Sequence, residues 1–172
     1  MKLKILTFPN PILFKKSKKI TIIDDEIKGL ARDMAETLAS YGSEHEIGAA
    51  LAAIQVGVPV RMTVIRNDDG TFSALINPEI VKSTDGYFED IEGCMSVPQK
   101  YGKVKRYKKI KVRGKDLYGK KIEIKAEGLL ARILQHEIDH LDGILFVDHL
   151  SQLKRDLYKR QLKKEKKEGK KL

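Results

Sequence analysis

The chain has 172 residues, a net charge of +10, one cysteine and no tryptophan. That length supports one hydrophobic core and not two. A single cysteine excludes an internal disulfide, and no run approaches the roughly 18 apolar residues that a membrane-spanning helix needs, so a disulfide scaffold and a helical membrane protein are both excluded.

Residues 3–6 alternate in the manner of a short strand, which the Phe8-Pro9-Asn10-Pro11 cluster breaks with restricted backbone. The opening residues carry Lys2 and Lys4 and lead into no apolar leader segment, so a cytoplasmic location is expected. Asp24 or Asp25 caps a helix in which Ile27, Leu30, Ala31, Met34 and Leu38 keep the 3.6-residue period, ending near Ser40. A polar loop over residues 41–46 precedes the small-residue run of 48–53. Residues 60–66 and 71–76 flank Asn67-Asp68-Asp69-Gly70 and predict a β-hairpin. Further strands are predicted at 79–82, 109–113 and 120–125, the last two joined through Asp116-Leu117-Tyr118-Gly119. Over 127–141, Leu130, Ile133, Leu134, Ile138 and Leu141 return to helical spacing, and Asp142-Gly143 can stop that helix. A last helix starts near Ser151. The order predicts an α+β fold: small antiparallel β-sheets packed around a central helix, with a C-terminal helix.

From Lys154 onward, ten Lys and Arg residues stand against Asp156, Glu165 and Glu168, which leaves the body near neutral. The chain is therefore divided into a single domain, residues 1–151, and a basic helix or tail, 152–172.

The central helix carries the sharpest chemical signal, His136-Glu137-Ile138-Asp139-His140. Two imidazoles four residues apart project from one helical face and can bind one ion, with Glu137 in reach of a reacting water. A catalytic site of this kind takes three protein ligands and keeps a position open. One large metallopeptidase class finds its third ligand in His-x-x-Gly-x-x-His, but Phe146 stands where that histidine would be. Asp148 and His149, beside the apolar Ile144-Leu145-Phe146, read as surface or packing residues. The alternative is Cys94, set in Glu92-Gly93-Cys94-Met95-Ser96, where Gly93 allows close approach of the backbone and a thiolate suits a soft or borderline ion. Taken alone, a single cysteine reads more often as a small buried residue than as a ligand.

Three motifs in order give a specific resemblance. Gly48-Ala49-Ala50-Leu51-Ala52-Ala53-Ile54-Gln55, Glu92-Gly93-Cys94-Met95-Ser96 and Gln135-His136-Glu137-Ile138-Asp139-His140 resemble the three motifs of the peptide deformylase family, with Met95 in place of Leu. Pro9-Asn10-Pro11-Ile12-Leu13 and Gly128-Leu129-Leu130-Ala131-Arg132 extend the likeness, which runs from Leu3 to Ser151.

The resemblance implies removal of the formyl group from the N-terminal formylmethionine of newly made polypeptides. It implies one divalent ion held by Cys94, His136 and His140: Fe2+ in the cell, with Zn2+, Ni2+ or Co2+ able to replace it. Glu137 is then the general acid and base, and the Gln55 amide and the Met95 backbone N–H stabilise the oxyanion. Gly48, Ala49, Ala50, Glu92, Gly93, Leu129 and Ile133 complete the expected substrate-binding set, with Ala49, Leu129 and Ile133 lining the methionine pocket. Without the family match, Gln55 reads equally well as an exposed loop amide.

Two departures stand out. Ala50 occupies the place of the family's second glycine; a positive φ there would strain it, and its methyl would narrow the cleft. The segment before the first motif is longer than usual and includes His45, read as a solvated loop residue. The basic tail reads either as a solvated helix or as a ribosome-docking element that binds RNA phosphates, the latter also implied by the resemblance. On that reading, deleting 154–172 spares turnover of a short formyl peptide. Two rival functions are a zinc peptidase acting on internal bonds, and a non-catalytic ribosome-binding protein with a structural metal.

Overall fold

The computed structural model describes residues 1–41, 48–84 and 86–169. The chain runs α1 (Asp25–Ala39), β1 (Ala50–Ala52), β2 (Met62–Arg66), β3 (Phe72–Ser83), β4 (Tyr87–Cys94), β5 (Val97–Tyr107), β6 (Lys109–Lys115), β7 (Lys121–Glu127), α2 (Gly128–Leu141) and α3 (Gln152–Lys167). Short 3-10 turns lie at Pro11–Phe14, Ala53–Val56 and Phe146–His149. Five strands form one sheet in the order β1-β2-β3-β6-β7, while β4 and β5 form a separate two-stranded arm. Every pairing between these strands is antiparallel.

Strand alternation distributes the core over both faces of the large sheet. Met62, Val64 and Ile76 join Met34 and Leu38 of α1 in one buried cluster. Their neighbours Ile65 and Leu75, with Ile110 and Val112, join Leu134 and Ile138 of α2 in another. The two helices thus cover opposite faces, and the motif-bearing α2 is held between the large sheet and the arm. A third cluster, under the arm, gathers Phe8, Val97, Val104, Phe146 and the fully buried Leu162 of α3.

The α+β expectation is met, with α2 central and α3 at the C-terminal end. Asp24 caps α1 by accepting from Ile27 N at 3.0 Å. The β2–β3 hairpin turns at Gly70 (φ 82°) and β6–β7 at Gly119 (φ 82°). The strand predicted at 79–82 is the far half of β3, continued past a register shift between Ile76 and Glu79.

Residues 3–6 are a correction. They form no strand, because their N–H groups are satisfied singly: Leu3 N donates to Thr37 Oγ1 at 2.8 Å and Leu6 N to Gln55 O at 2.7 Å. The expected strain at Ala50 is absent too. It lies in β1 opposite Ile65, and the described non-glycine residues with positive φ are Asn77 and Gln99. The calls on His45 and on the loop around it lie outside the described residues, as do Lys170 and Lys171. No helix among the described residues is long and apolar enough to cross a membrane.

Candidate metal centre and substrate cleft

The i, i+4 spacing on α2 brings the His136 and His140 rings to a centroid separation of 4.8 Å, with their Nε2 atoms 3.1 Å apart. The helix must stop at once after His140, because the chain turns under residues 14 and 15. Gly143 makes that turn with φ 77°, and a Cβ there would sit 2.5 Å from the Phe14 carbonyl oxygen. Arg61, from the start of the β2 region, donates to Leu141 O at 3.4 Å and to Asp142 Oδ1 at 2.7 Å, holding the last turn.

Cys94 arrives from the other layer. The ladder of the arm shifts register between Glu92 and Cys94, after which Cys94 pairs with Val97 across a tight turn. Gly93 permits this, since a Cβ would meet the Tyr101 ring at 2.7 Å. The sulfur receives N–H groups from Ser96 N at 3.4 Å and Gln55 Nε2 at 3.6 Å, and lies 3.3 Å from His140 Nε2. The Cys94, His136 and His140 ligand atoms all fall within 4.8 Å of one another. A tetrahedral ion with metal–sulfur and metal–nitrogen bonds of about 2.3 and 2.1 Å has ligand edges of roughly 3.3–3.6 Å, so this donor set fits one.

Glu92 sits behind the histidines. Its Oε2 lies 3.0 Å from His136 Nδ1, while Arg106 grips it in a fork (Nε to Oε1 2.8 Å, Nη2 to Oε2 2.9 Å) and Arg132 Nη1 adds a bond of 2.6 Å. Burial by itself would raise this carboxyl, but hydrogen bonds from Arg106 and His136 outweigh it and hold the group far below the usual carboxylate range. Arg106 also binds Asp139, which pairs with His149 Nε2 at 2.7 Å. Burial likewise lowers both ligand histidines; the Cys94 sulfur and Glu92 overcome it at His136, whereas His136 itself depresses His140 further. The Glu92 contact directs Nδ1 of His136 away from the cysteine and leaves Nε2 for the ion.

Glu137 is 4% exposed, and desolvation pushes its carboxyl up to about 7. Thr63 Oγ1 lies 3.4 Å from its Oε2. Gln55 is buried, not an exposed amide: Oε1 accepts from Ala52 N at 2.9 Å, which turns Nε2 toward Ser96 Oγ at 3.1 Å and the cysteine sulfur. A cleft of about 720 Å³ opens over these groups. Gly48, Ala49, Ala50 and Gln55 border it on one strand-and-turn segment, Glu92 to Met95 on the arm, and Leu129, Ile133, His136 and Glu137 on α2. A second groove of about 600 Å³, beside α1 and bordered by Asp24, Glu26 and Asp33, gathers no metal-ligand group among the described residues.

The structure thus brings Gly48, Ala49, Ala50, Gln55, Glu92 to Met95, Leu129, Ile133, His136 and Glu137 to one cleft, with the buried His140 grouped with Cys94 and His136. Sequence reasoning missed Arg106 and gave Arg132 no role of its own; Arg132 lies one turn before His136, a position that points the same way on the helix. It also missed the rim residues Tyr41, Ile91 and Tyr101. Asp148 accepts from Leu145 N and pairs with Lys159, away from the ligand group, and His149 touches the network behind it through Asp139 and, at 3.4 Å, Arg106.

Comparison with known proteins places this cleft in a family. The sequence model described as polypeptide deformylase matches residues 2–156. The peptide deformylase of Desulfotalea psychrophila is 44% identical over 94% of this chain and 95% of its own length. That of Bartonella quintana is 45% identical over 95% and 93%. Among solved structures, a peptide deformylase from Legionella pneumophila superposes with a TM-score of 0.88 at 42% identity over 100% of both chains. The Ehrlichia chaffeensis peptide deformylase in complex with actinonin gives 0.88 at 37% identity over 95% of this chain and 97% of that one. With matches that span nearly the whole length and all three motifs, this chain belongs to the polypeptide deformylase family.

Proposed function

We propose that this enzyme removes the formyl group from the N-terminal formylmethionine of new polypeptides with Cys94, His136 and His140 holding a divalent ion. Enzymes of this family are metal-dependent hydrolases acting on formylated nascent peptides. The ion is Fe2+ in the cell, with Zn2+, Ni2+ or Co2+ as replacements; one thiolate and two imidazoles accept all four. When bound, it supplies Lewis acidity toward the reacting water and the formyl oxygen.

The chain's own groups do the rest. Glu137 takes a proton from the attacking water and delivers it to the amine nitrogen as the C–N bond breaks, releasing formate and a free α-amine. The Gln55 amide and the Met95 N–H stabilise charge developing on the formyl oxygen, each worth about 3 kcal/mol. Leu129, Ile133 and Ala49 receive the methionine side chain, with Gly48, Ala50 and Gly93 beside the peptide. Glu92 borders the cleft, yet its carboxylate is engaged by two guanidinium groups and His136, so its part in binding is to hold His136. Residues 1–151 form the catalytic body. The basic segment 152–172 is a helical extension that docks on ribosomal RNA, and the protein works in the cytoplasm.

The convergence of Cys94, His136 and His140 beside buried Glu137 carries this reading. A structural metal is disfavoured because no fourth His, Cys, Asp or Glu joins the group among the described residues. The test is formate release from a formyl-Met tripeptide by the ferrous protein, prepared without oxygen, beside Glu137→Ala. The parent should release formate, and the variant should retain metal while losing roughly 10²–10⁴-fold in kcat. A fully loaded parent that releases none overturns the reading.

A further inference from the structure

The C-terminal helix does more than rest on the body. Leu162 anchors it in the cluster with Val97 and Val104 of β5. Two polar contacts then reach one short stretch of that strand. Tyr158 Oη donates to Tyr101 O at 2.8 Å, and Glu165 Oε1 accepts from Lys100 Nζ at 3.1 Å, with side chains only 12% and 24% exposed for Lys100 and Glu165. Just before α3, Leu150 packs so tightly on Gly102 that a Cβ there would come within 2.6 Å of it.

Residues 99–101 are part of the cleft border. Gln99 is held at φ 60°, a left-handed conformation that costs a non-glycine residue about 1–3 kcal/mol and persists only where the surroundings enforce it. The Tyr101 ring in turn covers Gly93, the residue before the cysteine ligand. The strained wall of the cleft is therefore clamped from the side away from the substrate, by α3.

We infer that Tyr158 and Glu165 are positioning residues for substrate: by fixing residues 99–101 they hold the wall along which the peptide beyond the methionine runs. This rests on the deformylase reading above. On that reading the methionine side chain and formyl group lie against α2 and the metal ligands, whereas Tyr158 and Glu165 bond to Tyr101 and Lys100, so the clamp acts first on the longer substrate.

The experiment compares formyl-methioninamide with a formyl-Met-Ala-Ser peptide on the metal-loaded full chain, for the parent, Glu165→Gln, Tyr158→Phe and the double variant. Loss of one or two such contacts should raise KM for the tripeptide about three- to tenfold, with kcat held within about twofold and both constants for formyl-methioninamide unchanged. Equal changes for the two substrates, or none for the tripeptide, overturn the inference. Glu165→Gln keeps the shape of the side chain and serves alone if the double variant does not fold. A parent inactive on both substrates refutes the deformylase reading itself, an outcome distinct from an active parent with indifferent variants.

Discussion

Replacing Arg106 by Met tests the support behind the histidines most directly. The substitution keeps the buried stem and removes a fork of two bonds to Glu92, at 2.8 and 2.9 Å, together with the bond to Asp139. Glu92 keeps Arg132 and His136, and Asp139 keeps His149, so neither charge is fully stranded. The cost should fall at the low end of that for a broken buried pair, about 3 kcal/mol, which for a chain of this size is a fall in Tm of roughly 6–12 °C. The pH dependence has a definite sign. Glu92 is held below its ordinary value of 4.5 in the fold, so the unfolded chain binds the proton first as pH drops below that value. Its contribution is present above the unfolded value and lost on the acid side, and Arg106→Met should flatten that loss. A loosened Glu92 also orients His136 less well, and affinity for the ion should fall about ten- to a hundredfold. Urea unfolding at about pH 7 and about pH 4, with chelator competition at the higher pH, measures all three. A loss under about 1 kcal/mol with unchanged chelator resistance would refute the network as the support of the metal site.

Metal loading should release protons in mildly acidic buffer. Burial holds Glu137 up to about 7, and a cation held by its neighbours pulls it down. Titration calorimetry of Zn2+ in buffers of different ionisation heat should find about one proton fewer released by Glu137→Gln near pH 6; an equal count sinks this assignment. The ribosome reading should be tested by Lys→Gln changes at Lys163, Lys164, Lys166 and Lys167 and not by truncation. These side chains are exposed, whereas Leu162 just before them is fully buried. Leu162→Ala should cost about 2–4 kcal/mol in thermal or urea unfolding, so removing 154–172 would damage the body as well as the tail. Weaker, salt-sensitive ribosome binding by the Lys→Gln protein is expected, and unaltered binding would exclude the tail as the docking element.

Much of the fold was legible where a single period and a turn signal coincide. The α1 cap at Asp24, the hairpins at Gly70 and Gly119, and α2 with its two histidines all obey local rules. The arm did not show itself. Its buried positions include Glu92 and Arg106, which a hydrophobicity pattern scores as surface, and their burial is explained by each other across the strand pair and by Arg132, His136 and Asp139 of α2. Residues 3–6 failed in the opposite sense, alternating correctly while their N–H partners lie one by one on α1 and the Ala53–Val56 turn. In the site, the grouping of Cys94, His136 and His140 could be anticipated because the motifs single out these three residues. Arg132 could not be understood from its own helix, since Glu92 lies in a distant segment. For Gln55 the local sequence left a loop amide as an equal alternative, and the Ala52 bond shows which way its nitrogen faces.

The candidate ligands come from two separate layers, Cys94 from the arm and both histidines from the helix on the large sheet. An ion at that place is therefore a cross-link between folding units, closing a long loop in the manner of a disulfide but reversibly. Metal affinity and the docking of the arm become reciprocal quantities: whatever loosens one weakens the other. Removing the ion should free the arm to breathe, with amide exchange rising along β4 and β5 before the large sheet responds. A sheet of only two strands, marginal by itself, would then take part of its order from the ion and part from the apolar cluster beneath it.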